Sequence, residues 1–167
     1  MATTKRPVYT SDMLQDVHER SHRNLKSLMA HCRPFSEAEL SREFDGFGYP
    51  SILLQLHHEI SCEKYWLGVL HGRMDVDENE SEFRTVESLE AYRDEVSAAT
   101  ETYLSGASTD ELNTPRPMVT WRERKRILVP AHVIMRTNAH LYHHQGQILA
   151  ICRLLGKPGE GMDYPIE

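Results

Sequence analysis

The sequence predicts an all-α protein: a four-helix bundle with one or more long connections between its helices. Three observations carry this. Apolar residues recur at helical spacing in four long stretches. Capping residues, prolines and glycines fall at the ends of those stretches. No segment shows the sustained apolar–polar alternation of a strand. The chain has 167 residues, of which 40% are hydrophobic and 26% charged, enough for one domain over 1–167 with a substantial core.

The first helix is expected from Ser11 to Cys32, with Leu14, Val17, Ser21, Leu25 and Leu28 as its apolar stripe, Ser11 or Asp12 as its cap and Pro34 as its stop. Ser36-Glu37-Ala38-Glu39 has the form of a capping box and should open one short turn. Glycines and a proline make Asp45 to Pro50 a loop. The second helix runs from Pro50 or Ser51 to His71, with Pro50 suited to a first helical position and Gly72 to the end. Two flanks of it are apolar, Leu53, Leu56, Ile60 and Leu67 on one and Leu54, His58, Tyr65 and Val69 on the other, so it is well buried. Arg73 to Glu82 reads as an acidic solvent loop.

Thr85 caps a third helix over Val86 to Leu104, whose stripe is Leu89, Tyr92, Val96, Ala99 and Tyr103. Ser105 to Pro117 is a connection with a turn at Thr109 to Leu112, and Met118 to Val129 is either extended or the start of a helix. The fourth helix spans Pro130 to Leu155 and is closed by Gly156 in a left-handed cap and by Pro158.

A net charge of −6 argues against general polyanion binding, so nucleic acid is an unlikely partner. The basic run Trp121 to Arg126 is an exception, which its isolation assigns to a solvated segment or local ion pairing. Cys32, Cys62 and Cys152 form neither a disulfide framework nor a zinc ribbon. No signal peptide is evident, and no apolar run approaches the roughly 20 residues that cross a bilayer. A reduced, cytoplasmic protein without membrane insertion is expected.

Ten histidines need an explanation. His140 and His144 lie four apart on the stripe Val133, Thr137, His140, His144, Ile148, Ile151 and Leu155. Two imidazoles on a core-facing stripe, one turn apart, can reach one divalent metal that satisfies both. A third ligand should come from a facing helix, and His58 is the best placed. Three imidazoles and water make an open site suited to zinc, nickel, copper or ferrous iron. The same spacing at His18 and His22 lies beside the stripe of the first helix and is expected to face water. His57 and His143 sit about 100° round their helices from the ligands and read as flanking residues. His132 is too far along the axis. Cys62, one turn after His58, reads as a small core hydrophobe before a ligand. Gly146 inside the helix costs about 1 kcal/mol against alanine and suggests close approach by a neighbour. Gln147 should hydrogen-bond to an adjacent helix.

Leu56 to Gly72 (LHHEISCEKYWLGVLHG) and Asn138 to Gly156 (NAHLYHHQGQILAICRLLG) resemble the signature helices of the DinB/YfiT-like superfamily. These carry a histidine about two turns before an aromatic pair, here His58 before Tyr65-Trp66, and H-x-x-x-H followed by Gly-Gln, here His140, His144 and Gly146-Gln147. Gln145 stands where many relatives have arginine, a departure that touches no ligand. The resemblance implies a four-helix bundle with a three-histidine metal site, most often zinc or nickel, with ligands His58, His140 and His144. It implies a small-molecule substrate, and a low-molecular-weight thiol as cosubstrate where members are S-transferases; others are metal-dependent hydrolases. It implies pairing into homodimers. The alternative is a stress-related metal-binding or interaction protein without turnover. The sequence identifies no general base. Glu59 points about 100° from His58, Glu63 lies five residues on, and Tyr65 and Tyr92 are either substrate-orienting groups or core aromatics.

Overall fold

The computed structural model describes residues 8–74 and 79–167. The chain order is α1 (Ser11–Cys32), α2 (Glu37–Leu40), α3 (Ile52–Leu70), α4 (Val86–Gly106), α5 (Thr109–Asn113), β1 (Arg116–Thr120), β2 (Arg124–Leu128) and α6 (Pro130–Leu154). The acidic loop expected over Arg73 to Glu82 falls partly outside the described residues, at 75–78; its last part, Glu80–Glu82, is an exposed 3₁₀ turn. Residues 1–7, part of the segment read for a signal peptide, also lie outside. Among the described residues no helix is long and apolar enough to cross a membrane.

Local chemistry sets the helix ends. The side chain of Thr10, not Ser11 or Asp12, accepts from Met13 N–H at the start of α1. Ser36 and Glu39 form the expected capping box. Ser51 caps α3, so Pro50 precedes the cap and does not occupy the first turn. Gly156 adopts φ +76° after α6. There Lys157 N–H reaches the Cys152 carbonyl at 2.9 Å and Gly156 N–H reaches that of Arg153 at 3.0 Å, which closes the last carbonyls.

The four long helices pack as a ring: α1 touches α4 and α6, and α3 touches the same two from the opposite corner. The apolar interior is split. One cluster gathers Leu25, Leu28, Leu56, Ile60, Val96 and Ile148; the other gathers Leu14, Leu67, Leu104, Leu112, Met118 and Ile134. Between them along the helices lie buried polar residues: His18 and His22 on α1, Glu63 on α3, Thr100 on α4, and Thr137 and Asn138 on α6.

Residues 118–129 are extended, as one of the two expectations had it. They complete an antiparallel hairpin that strand alternation did not announce. Met118 and Thr120 are buried at 4% exposure each while Val119 between them is 41% exposed, so β1 does alternate, over five residues. The second strand, Arg124 to Leu128, hides the pattern because its bundle-facing positions carry arginine. In the three-residue connection between the paired Thr120 and Arg124, Arg122 and Glu123 take φ of +58° and +55°, the left-handed region that lets the chain reverse tightly. Non-glycine residues enter that region at a cost of roughly 1–2 kcal/mol each. Tyr65 Oη on α3 accepts Trp121 N–H at 2.5 Å and Arg116 donates to the Leu70 carbonyl at 2.9 Å, which ties both ends of β1 to the bundle.

Candidate metal centre

His140 and His144 lie on the α6 face that meets α3, and His58 projects from α3 toward them. The Nε2 atoms of His140 and His144 are 3.2 Å apart. The His58 ring centroid is 5.2 Å from that of His140 and 4.7 Å from that of His144. One nitrogen from each ring falls within 4.8 Å of the others, so the three residues singled out by sequence converge on one point. Two Zn–N bonds of about 2.0–2.1 Å at a tetrahedral angle place their nitrogens roughly 3.3–3.4 Å apart, close to the observed pair.

A hydrogen-bond chain fixes the ring state of His144. Gln55 Nε2 donates to the Tyr49 carbonyl at 2.6 Å and to Gln147 Oε1 at 3.0 Å, so the amide orientation is set. Gln55 Oε1 therefore accepts from His144 Nδ1, which holds the proton there and leaves the Nε2 lone pair toward the other two rings. Gln147 does reach the neighbouring helix, and its Nε2 lies 2.8 Å from His143 Nε2. Tyr49 stacks on His58 with centroids 3.7 Å apart and planes 19° from parallel. Burial first, then neighbouring positive charge, holds all three imidazoles down to about 4, so they are neutral near pH 7. Neutral, convergent rings, with His144 held by Gln55 and His58 stacked on Tyr49, fit a divalent cation.

His58 and His140 border a cavity of about 760 Å³, and His144 lies buried behind them. Tyr49, Cys62, Tyr65, Trp66 and the β1–β2 hairpin form its walls. Cys62 shares the cavity but is outside the convergent trio; its Sγ is 3.9 Å from an Arg136 guanidinium nitrogen, and burial pushes the thiol pKa up. Tyr65 lines the cavity. Tyr92 does not: it is buried and stacks on Phe83 at 4.8 Å, so its core reading holds. His57 packs beside the same two rings, 5.1 Å from Phe83 and 5.9 Å from Tyr92. His132 is elsewhere, edge-on to Tyr9.

Two expectations are corrected. His18 and His22 do not face water: they are 1% and 4% exposed. Their Nε2 atoms meet Glu63 Oε1 and Oε2 at 2.9 and 2.8 Å, and Thr100 Oγ1 donates to Oε1 at 2.7 Å. Packing against both α4 and α6 widens the buried arc of α1 beyond the stripe read from sequence. This second His/Glu group is also close enough to hold a metal ion, but its normal hydrogen bonds already account for the geometry. Gly146 is exposed, and a Cβ there would meet nothing within 4 Å, so no neighbour requires glycine.

Glu59 and Glu63 both turn away from the cavity. Glu59 is buried with neither carboxylate oxygen hydrogen-bonded, and burial, reinforced by Glu63, pushes its pKa well up. Among the described residues the one carboxylate on the cavity wall is Glu80. Sequence reasoning missed Glu80, Gln55 and Tyr49. Only Gln55 left a trace, as an amide one turn before His58 on a buried helix.

Comparison with known proteins agrees with this architecture. No curated protein matches the chain. A crystal structure titled "conserved protein of locus from Enterococcus faecalis" superposes with a TM-score of 0.65 at 15% identity, covering 90% of this chain and 100% of that one, which is a likeness of fold. Residues 11–167 match the family described as the DinB family, and the chain belongs to that family.

Proposed function

We propose that this protein is a divalent-metal-dependent enzyme acting on a small molecule, as a thiol S-transferase or a hydrolase. The observation that carries the reading is the convergent, neutral trio His58, His140 and His144, of which His58 and His140 border a cavity large enough for a small substrate. A site meant only to retain metal needs no such cavity. Zinc or nickel suits three imidazoles with an open side, and a bound cation supplies Lewis acidity toward an electrophile or a thiol.

The chain's own groups divide the remaining work. Gln55 keeps the His144 proton on Nδ1, and Tyr49 holds the His58 plane. Tyr49, Tyr65, Trp66 and Trp121 supply apolar wall for a substrate's body. Glu80 is placed on the wall to take a proton, and the O–H of Tyr65, whose oxygen already accepts from Trp121, is left to donate.

The test is elemental analysis of the purified chain, then assay of the metal-loaded protein with a panel of electrophiles, with and without low-molecular-weight thiols. Turnover needing metal and thiol supports the transferase; turnover needing metal alone supports the hydrolase. Tight metal without turnover would leave a metal-binding protein. Full metal retention by His140→Ala or His58→Ala would remove that residue from the ligand set.

A further inference from the structure

The whole chain carries a net charge of −6, yet the cavity beside the imidazoles is lined by Arg122, Arg124, Arg126 and Arg136 and, among the described residues, by one carboxylate, Glu80. The pleat of the hairpin selects two of these. Arg126 pairs with Met118 and Arg124 with Thr120, and directly opposed residues in an antiparallel pair share a face. Met118 and Thr120 are buried, so Arg124 and Arg126 lie on the bundle side. Lys125 pairs with exposed Val119, on the outer face with Ile127, and does not line the cavity. Among the described residues none of the four arginines makes an ion pair. Arg136 lies instead over the Trp66 ring, 4.8 Å from its centroid. Trp66, Trp121, Tyr65 and Tyr49 supply flat apolar walls beside the guanidinium groups.

We infer that the cavity binds a small organic anion, a carboxylate or a phosphate ester with a flat apolar body, held by Arg124 and Arg126 with its other end toward His58 and His140. This rests on the cavity being the substrate site of the proposed enzyme. Guanidinium forks match carboxylate and phosphate oxygens in pairs, and a cavity lined by one sign of charge concentrates the opposite sign. A small anion is favoured over nucleic acid because the arginines line one cavity while the chain as a whole carries a net charge of −6.

The chain has two tryptophans, Trp66 and Trp121, and both line the cavity, so intrinsic fluorescence reads its occupancy. The full chain, freed of metal by chelator, is titrated with phenyl phosphate, benzoate and the neutral benzamide at low and high salt. Removing the metal separates this test from the metal reading, which is settled by elemental analysis of the His140→Ala variant. Either anion should change the fluorescence saturably while benzamide binds at least tenfold more weakly; the tighter anion names the head group. Arg124→Ala and Arg126→Ala should each weaken binding about tenfold, the effect of losing a charge-assisted hydrogen bond. Lys125→Ala removes the same charge from the outer face and should change binding less than twofold. Thermal melts check that each variant is folded. Equal binding of benzamide, no binding of either anion at millimolar concentration, an equal loss in Lys125→Ala, or tighter binding of a short oligonucleotide than of phenyl phosphate would each overturn the assignment.

Discussion

Gln55→Leu isolates what the hydrogen bond to His144 contributes. Gln55 is fully buried on α3, and its Oε1 is the acceptor that keeps His144 protonated at Nδ1. Leucine fills similar space and removes that acceptor. Loss of an outer partner of a metal-binding histidine lowers metal affinity by about 10–100-fold, or roughly 1.4–2.7 kcal/mol. The same change breaks the bonds to the Tyr49 carbonyl and Gln147, so the metal-free protein should also lose about 1–3 kcal/mol. Gln55→Glu separates the two effects. It keeps an acceptor for His144 but cannot donate to Tyr49 or Gln147, so stability falls while zinc affinity stays at or above the starting value. The assay is competition for zinc against a chromophoric chelator, alongside denaturant melts of the metal-free variants. Equal zinc affinity in the leucine, glutamate and unaltered proteins would refute the assignment of Gln55 and weaken the case for His144 as a ligand.

Gly146→Ala should raise stability by about 1 kcal/mol, because the position is helical, exposed and open around the added methyl; a lower melting temperature would contradict the open space. Glu63→Leu strands the donors of His18, His22 and Thr100 and should cost about 3–5 kcal/mol in denaturant melts. Burial alone would raise the Glu63 pKa, but His22 and His18 more than offset it and hold it well below its ordinary value. That depressed folded value stabilises the protein in full above the unfolded pKa of about 4.3, and the contribution is lost as pH falls from there through the folded value. Glu63→Gln should therefore flatten the acid limb of stability against pH, and an unchanged limb would show that Glu63 is not ionised in the fold.

Much of this architecture is legible in the chain. The four long helices follow from apolar spacing and from local stop and start chemistry at Ser36, Thr85 and Gly156, which act within a few residues. The convergence of His58 with His140 and His144 follows because one turn of helix fixes the pair and a bundle brings α3 against α6. The hairpin was hidden because its turn uses Arg122 and Glu123 at positive φ, where asparagine and glycine would have signalled it, and because arginines occupy the inward positions of β2. The basic run, expected to be solvated or locally ion-paired, is exposed throughout, and the pairing register shows which of its arginines also line the cavity. The Glu63 partnerships with His18 and His22 join positions 45 and 41 residues apart, beyond any local pattern.

The two histidine pairs show why spacing alone does not assign chemistry. Both are four apart on a long helix, and both are buried or half-buried. On α1 the Nε2 atoms face a carboxylate that already receives a third donor from Thr100, in a layer enclosed between two apolar clusters. A cation entering there would have to displace matched hydrogen bonds and would find no room for a reactant. On α6 the Nε2 atoms face each other and His58, no carboxylate intervenes, and an open cavity adjoins them. The first arrangement satisfies itself and locks α1, α3 and α4 in register; the second gathers imidazole nitrogens that a cation would satisfy together, beside a cavity with space for a reactant.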